Sequence, residues 1–341
     1  MDTPDLHAAV RDGSLAKLPA SALTVAHLTA RNAAGNTPLH LAAKLGRLPD
    51  LPPSALTDES LAVKNDAGYT PLHHAALGGH LDQIPATLLN ADSLSARSNA
   101  GYTVFHLAAA QGTLAQLPAG LVSAEVVLRK TDVGNTLLHE AAENGTLDRL
   151  PAQFITAENI VQKNLGGETV LHVAAFNGHL GQIPVALLTN ACLRETTSAG
   201  DTVFHAAAIS GHLEQIPGEF LTHDNLVISS KTGFTAIHAA AETGQLKKIP
   251  ADQLTPDLLL TRNDNGDTPL HAAAYEGHLD QLPPGALNSE RVLTRNYDGL
   301  TVEELARDRG HYEQIPLAAR PKAMNPVRRF FRNLGRSRAP F

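Results

Sequence analysis

Tryptophan is absent from the 341 residues, aromatics make up only 4% of them, and there is one cysteine. A chain so poor in large rings cannot fill a thick central core, so its interior must be built of Ala and Leu in thin, close layers. Cys192 alone cannot form an internal disulfide, which fits a reducing compartment. No segment approaches the roughly 18 uninterrupted apolar residues that a membrane-spanning helix needs. The opening "MDTPDLHAAVRDG" shows no basic region followed by an apolar run, so no targeting signal is visible. "GxxxxGK", "HExxH" and "CxxC" do not occur, and Cys192 has no paired histidine in a nucleophile motif. The expectation is therefore a cytoplasmic chain that is not an enzyme and uses no cofactor and no metal, with a secreted effector as the other address.

Charge is unevenly divided. The net value of −7 combines residues 1–319, where 20 bases face 34 acids, with residues 320–341, where seven bases face none. Nucleic acid wrapped along the acidic part is disfavoured, because phosphate binding needs clustered positive charge.

Periodicity dominates everything else. Prolines stand at 19, 52, 85, 118, 151, 184, 217, 250, 283 and 316, always 33 residues apart, which marks a repeat architecture. Glycines recur at 35, 68, 101, 134, 167, 200, 233, 266 and 299, each followed two residues later by threonine. Glycine accepts the positive φ of a tight turn, and the threonine hydroxyl can cap a helix. Pro38, Pro71 and Pro269 then occupy the first helical position, where no N–H is required. "LHxAAxxG" follows, predicting one short helix whose alanines approach the next unit and whose end is a glycine such as Gly46 or Gly79.

The second half of each unit reads "HLxQIPxxLLTxxxL", and its proline would break a continuous helix. Five residues later stand Thr24, Thr57, Asn90, Ser123, Thr156, Thr189, Thr222, Thr255 and Asn288, each with Leu, Val or Ile four positions further on. A capping residue before an apolar residue at helical spacing is a new helix start. The outer layer is thus predicted to consist of two or three separate helical turns.

"GNTPLHLAAKLG", "GYTPLHHAALGG" and "GDTPLHAAAYEG" resemble the ankyrin repeat in motif and in period, over nearly all of residues 1–319. The "QIPxxLLT" half departs from the usual ankyrin pattern and is similar to bacterial ankyrin arrays. A leucine-rich-repeat-like stack is the runner-up, since "LxQIPxxLL" and "LPAGL" echo that motif, but "TPLHxAA" and the unvarying spacing argue against it. The resemblance implies an all-α helical solenoid with short outer turns: a capping unit at 1–33, internal repeats over 34–298, a capping unit at 299–319 and a tail at 320–341. In the last unit "GLTVEELARDRGH" places Glu304 where the others carry histidine, like a polar C-terminal cap.

Nine of the 17 histidines, from His7 to His271, share one repeat position. Stacked helices lie about 8–10 Å apart, too far for neighbouring rings to share a metal held at about 2 Å. Each ring is expected to bridge backbone groups instead. His80, His179, His212, His278 and His311 read as helix-start or surface residues. Gln83, Gln116, Gln182, Gln215, Gln281 and Gln314 are expected to stack as a ladder, and Cys192 to be a packed thiol.

Recognition in a solenoid falls to positions that vary between units. In ankyrin repeats these line the concave face, so the resemblance implies partner contacts at Leu45, Tyr69, Leu77, Tyr102, Phe176, Ile209, Phe234, Tyr275 and Tyr297. Tyr69, Leu77 and Tyr102 would form one apolar cluster; Phe176, Ile209, Phe234, Tyr275 and Tyr297 would form a second. In the tail, Val327, Phe330, Phe331 and Leu334 follow helical spacing, with Arg328, Arg329 and Arg332 between them. Arg328, Arg329, Phe330, Phe331, Arg332 and Leu334 are the tail's candidate contacts with an anionic membrane or an acidic partner. The functional expectation is a monomeric scaffold for a protein partner; the alternative is a peripheral membrane adaptor anchored by the tail.

Overall fold

The computed structural model describes residues 5–118 and 120–321, and the chain falls into two compact units, Met1–Ser198 and Ala199–Phe341. In the first unit the Gly-x-Thr steps and "LHxAA" segments form the inner helices Leu6–Asp12, Pro38–Lys44, Pro71–Gly78, Val104–Gln111, Leu137–Asn144 and Val170–Phe176. The second holds Val203–Ser210, Ala236–Glu242, Pro269–Glu276 and Val302–Asp308. Each has seven or eight residues, short of the roughly 12–15 that an isolated helix needs in water. Caps and packing must therefore hold them. Within each unit, every inner helix packs on the next in chain order, giving a helical repeat solenoid. Alanine pairs such as Ala42–Ala43, Ala75–Ala76 and Ala108–Ala109 are fully buried there, their small side chains permitting the close approach. Among the described residues there are no strands, only isolated bridges such as Lys163 with Thr169, and no helix is long and apolar enough to cross a membrane.

The repeat proline separates two 3₁₀ turns. In the unit that opens at Thr70, the turn Leu81–Gln83 gives way to extended Ile84, then Pro85 at φ −52° and ψ 131°, then the turn Ala86–Leu88. The residue before a proline is sterically pushed into extended backbone. That conformation drives Ile84 into the core. Asn90 then caps the short helix Ala91–Ser95, exchanging hydrogen bonds with Ser93. Thr57 does the same with Ser60, and Thr189 with Cys192, whose buried thiol takes the place of the serine hydroxyl. The apolar residue four positions past each cap is buried: Leu61, Leu94, Val127, Ile160 and Leu193 in the first unit, Leu226, Leu259 and Val292 in the second. The predicted outer layer of separate turns is what the chain builds.

Side chains tie successive repeats through backbone groups. Three of the glutamines are held by backbone groups of the preceding repeat. Gln116 accepts from the Leu81 N–H at 3.0 Å and donates to the Gly79 carbonyl at 2.9 Å. Gln182 repeats this on Leu147 and Gly145, and Gln314 on Leu279 and Gly277. His179 Nδ1 lies 2.8 Å from the Ala142 carbonyl, and His278 Nδ1 3.0 Å from that of Ala241, so these are inter-repeat contacts more than surface residues. At the turn tips Gly101 has φ 79°, and a Cβ there would stand 2.4 Å from the Asp132 carboxylate. The next turn comes that close because the Asp132 N–H donates to the Ala100 carbonyl at 3.1 Å.

Candidate partner-binding face

The recurring histidine does two things at once. The Thr37 N–H donates to Nδ1 of His40 at 3.1 Å, the Thr37 hydroxyl lies 2.8 Å from the same nitrogen, and Nε2 faces the Tyr69 carbonyl of the next repeat at 3.0 Å. A backbone amide can only donate, so Nδ1 accepts, the proton sits on Nε2, and Nε2–H donates to the carbonyl. His73 and His139 repeat the arrangement onto the Tyr102 and Glu168 carbonyls, and His205 and His271 onto Phe234 and Leu300; His238 reaches the Asp267 carbonyl with the Thr235 hydroxyl at its Nδ1. His106 keeps the threonine contact but reaches the Arg129 carbonyl. Burial pushes His73, His106 and His139 down to about 4 and lowers His40, His205, His238 and His271 as well. Rings whose nitrogens are both engaged in this way offer no lone pair to a metal and no free base to a substrate.

Glu304 shows the same logic from the other side. Its carboxylate accepts the Thr301 N–H at 3.1 Å, as a histidine would, but it has no N–H to send onward. An acceptor-only side chain suits the last of these helices, where no further inner helix follows among the described residues.

The variable residues divide into three groups. Leu45, Phe176, Ile209 and Tyr275 stand at the ends of inner helices and are 44%, 53%, 45% and 42% exposed. Tyr69, Leu77, Tyr102 and Phe234 are half-buried. Tyr69 meets His73 edge-on at 5.4 Å, Tyr102 meets His106 at 6.2 Å, and Phe234 lies against His238 at 5.5 Å. These three rings pack on the histidines of their own repeats, so part of each belongs to the stack. Tyr297 is 72% exposed, but at a turn tip, where its ring covers Gly266 of the preceding repeat. It does not join the helix-end residues. The tail candidates Arg328, Arg329, Phe330, Phe331, Arg332 and Leu334 lie outside the described residues.

Two residues of this face went unnoticed in the sequence. The position after the recurring histidine holds His74 and Glu140, where other repeats of the first unit carry Leu41, Leu107 and Val173. "LHHAA" and "LHEAA" were the available signals. Glu140 is only 4% exposed and accepts from Asn135 Nδ2 at 3.0 Å. Burial raises its carboxyl to about 7, and burial first, with Glu140 and Glu143 adding to it, raises the Tyr102 phenol to about 12. A stripe spaced by 33 residues was also missed: Lys64, Arg97, Lys130 and Lys163 each donate to the carbonyl one repeat ahead, at 2.7–3.0 Å. Their work is to clamp repeats together.

An ankyrin-repeat family model matches residues 265–282. Over that segment the chain is similar to an ankyrin repeat. The match begins in the turn before Thr268, covers the inner helix Pro269–Glu276, and stops at Leu282, one residue short of the repeat proline Pro283. In this unit the match thus takes in the inner helix and the turn Leu279–Gln281 and leaves out the proline and the segment after it. No curated protein matches the chain by sequence. An ankyrin repeat is a protein–protein interaction module, and the helix-end and turn residues described above are where its side chains vary from unit to unit.

Proposed function

We propose that this ankyrin-repeat chain is a non-catalytic scaffold that holds a protein partner against its inner-helix ends and turns. One observation carries the reading. Phe176, Ile209 and Tyr275 occupy a single repeat position, successive members 33 and 66 residues apart, and stay 42–53% exposed while the paired alanines and the histidines of the same helices are buried. Large apolar groups kept at the surface in this way are what interface anchors are made of. The recurring histidines, whose nitrogens bridge repeats, are left out of any catalytic role. The test is quantitative capture of the partner, identified first with the intact chain, by Phe176→Ala and Tyr275→Ala variants. Loss of an anchor worth about 2 kcal/mol weakens capture roughly 30-fold. Capture unchanged by either substitution would remove the proposal. The alternative of a membrane adaptor rests on the tail sequence, and pelleting of the intact chain with anionic vesicles tests it.

A further inference from the structure

The second unit has an inner-helix groove of about 370 Å³ with an unusual wall. Tyr275, Ala272 and Leu305 give it an apolar surface, and Glu242, Glu276 and Asp298 bring carboxylates to it. Among the described residues no lysine or arginine pairs with these three acids. Burial raises the Glu242 carboxyl, and Glu276 and then Asp267 raise it further, so like charges are crowded here. One cation does stand at the rim: the Arg309 guanidinium lies 3.5 Å over the Tyr275 ring, which shows the kind of group this aromatic accepts.

We propose that residues 322–341 of the same chain dock in this groove and so compete with a protein partner for the second unit. Three observations converge. Residues 199–321 hold 17 acids against nine bases, whereas 322–341 hold six bases and no acid. That segment also carries Val327, Phe330, Phe331 and Leu334, matching an apolar surface bounded by carboxylates. Its starting point is fixed beside the groove's own repeat: Arg320 Nε donates to the Ile315 carbonyl at 2.9 Å, and its guanidinium pairs with Glu313 at 2.7 Å. Twenty residues span up to about 66 Å when extended, while adjacent helices are about 10 Å apart, so the groove is well within reach.

The inference rests on the inner-helix face being a docking surface, and its test reads the tail directly, without the partner. A fluorescent peptide of residues 322–341 is titrated into the intact chain and into the full chain carrying Arg328→Glu, Arg329→Glu and Arg332→Glu. The expected result is at least tenfold tighter binding to the substituted chain, whose groove its own tail no longer occupies. Adding Glu242→Lys and Glu276→Lys to that chain should remove the binding, and raising salt from about 0.05 to 0.3 M should weaken it. Glu242→Gln with Glu276→Gln serves if the lysine pair disturbs the helices by circular dichroism, with a smaller loss in the same direction. Equal binding by intact and tail-substituted chains overturns the proposal. So does binding indifferent to the glutamates, or a peptide that ignores the protein and partitions onto anionic phospholipid vesicles. Phe176 lies in the other unit, so partner capture through it can fail or succeed independently.

Discussion

A histidine that must stay neutral makes the stack sensitive to acid. In the folded chain the Thr136 N–H and hydroxyl both meet Nδ1 of His139, so a proton placed there would face another donor. The sign follows from the lowered value: between about pH 6.5 and 4 the unfolded chain binds more protons than the folded one, so the stability contribution is intact above 6.5 and shrinks as the pH falls through that window. At pH 5 each ring held near 4 costs about 2 kcal/mol, and the first unit has four: His73, His74, His106 and His139. Glu140 works in the opposite direction. Its raised carboxyl is protonated in the folded state below about 7, which returns about 2 kcal/mol on going from pH 7.5 to pH 5. The histidines win by several kcal/mol, a large part of the ~5–15 kcal/mol that holds a domain together. Urea unfolding followed by circular dichroism should show the midpoint dropping steadily from pH 7 to pH 5; a flat profile would refute the assigned tautomers. Glu140→Gln isolates the opposing group. It should stabilise the protein at pH 8, by about 1–3 kcal/mol on removing a buried charge, and leave pH 5 almost unchanged. A destabilised variant at pH 8 would mean that the ionised carboxylate is needed.

The proline-broken outer layer tests what defines an element. Pro151 is exposed, at φ −57° and ψ 123°, and Thr156 accepts the Asn159 N–H to start the next turn. Alanine adopts the same backbone, so Pro151→Ala should cost only the ~0.4–1 kcal/mol that comes from a freer unfolded chain. Gln182→Ala leaves the Leu147 N–H and Gly145 carbonyl without their partner and should cost about 1–3 kcal/mol. Thermal melts that rank the two in the reverse order would show that proline, not the inter-repeat tie, holds the outer layer. The contrast also marks what could be read in advance. Proline, cap and apolar residue lie within ten positions of one another, so the breaks, the helix starts and the buried Leu61, Leu94 and Ile160 were legible from local spacing alone. The partners of Gln182 lie 35 and 37 residues back, beyond what local pattern can show. Tyr69 and Tyr102 were legible as variable but not as half-buried, because the histidine rings that cover them were counted only as bridges. His74 and Glu140 were hidden by the regularity of the alanines beside them.

At the scale of the whole molecule, the residues that build repeats differ from those proposed to meet a partner. Threonine, histidine, Gln116, Gln182, Gln314 and the basic stripe spend hydrogen bonds on neighbouring backbone, and the proposed function assigns recognition to side chains free of that duty. Phe176 is such a side chain, and so are Ile209 and Tyr275. Val185 provides a matched control, since it is 62% exposed and apolar but belongs to the outer turn Val185–Leu187. The decisive measurement is site-specific photo-crosslinking in cells, with a photoreactive phenylalanine analogue placed singly at Phe176, Tyr275 or Val185 in the full chain. The account predicts one shared protein adduct from Phe176 and Tyr275, or from Phe176 alone where the tail holds the second unit, and none from Val185. An adduct formed through Val185 but not through Phe176 would place recognition on the outer turns and contradict the assignment of the inner-helix face.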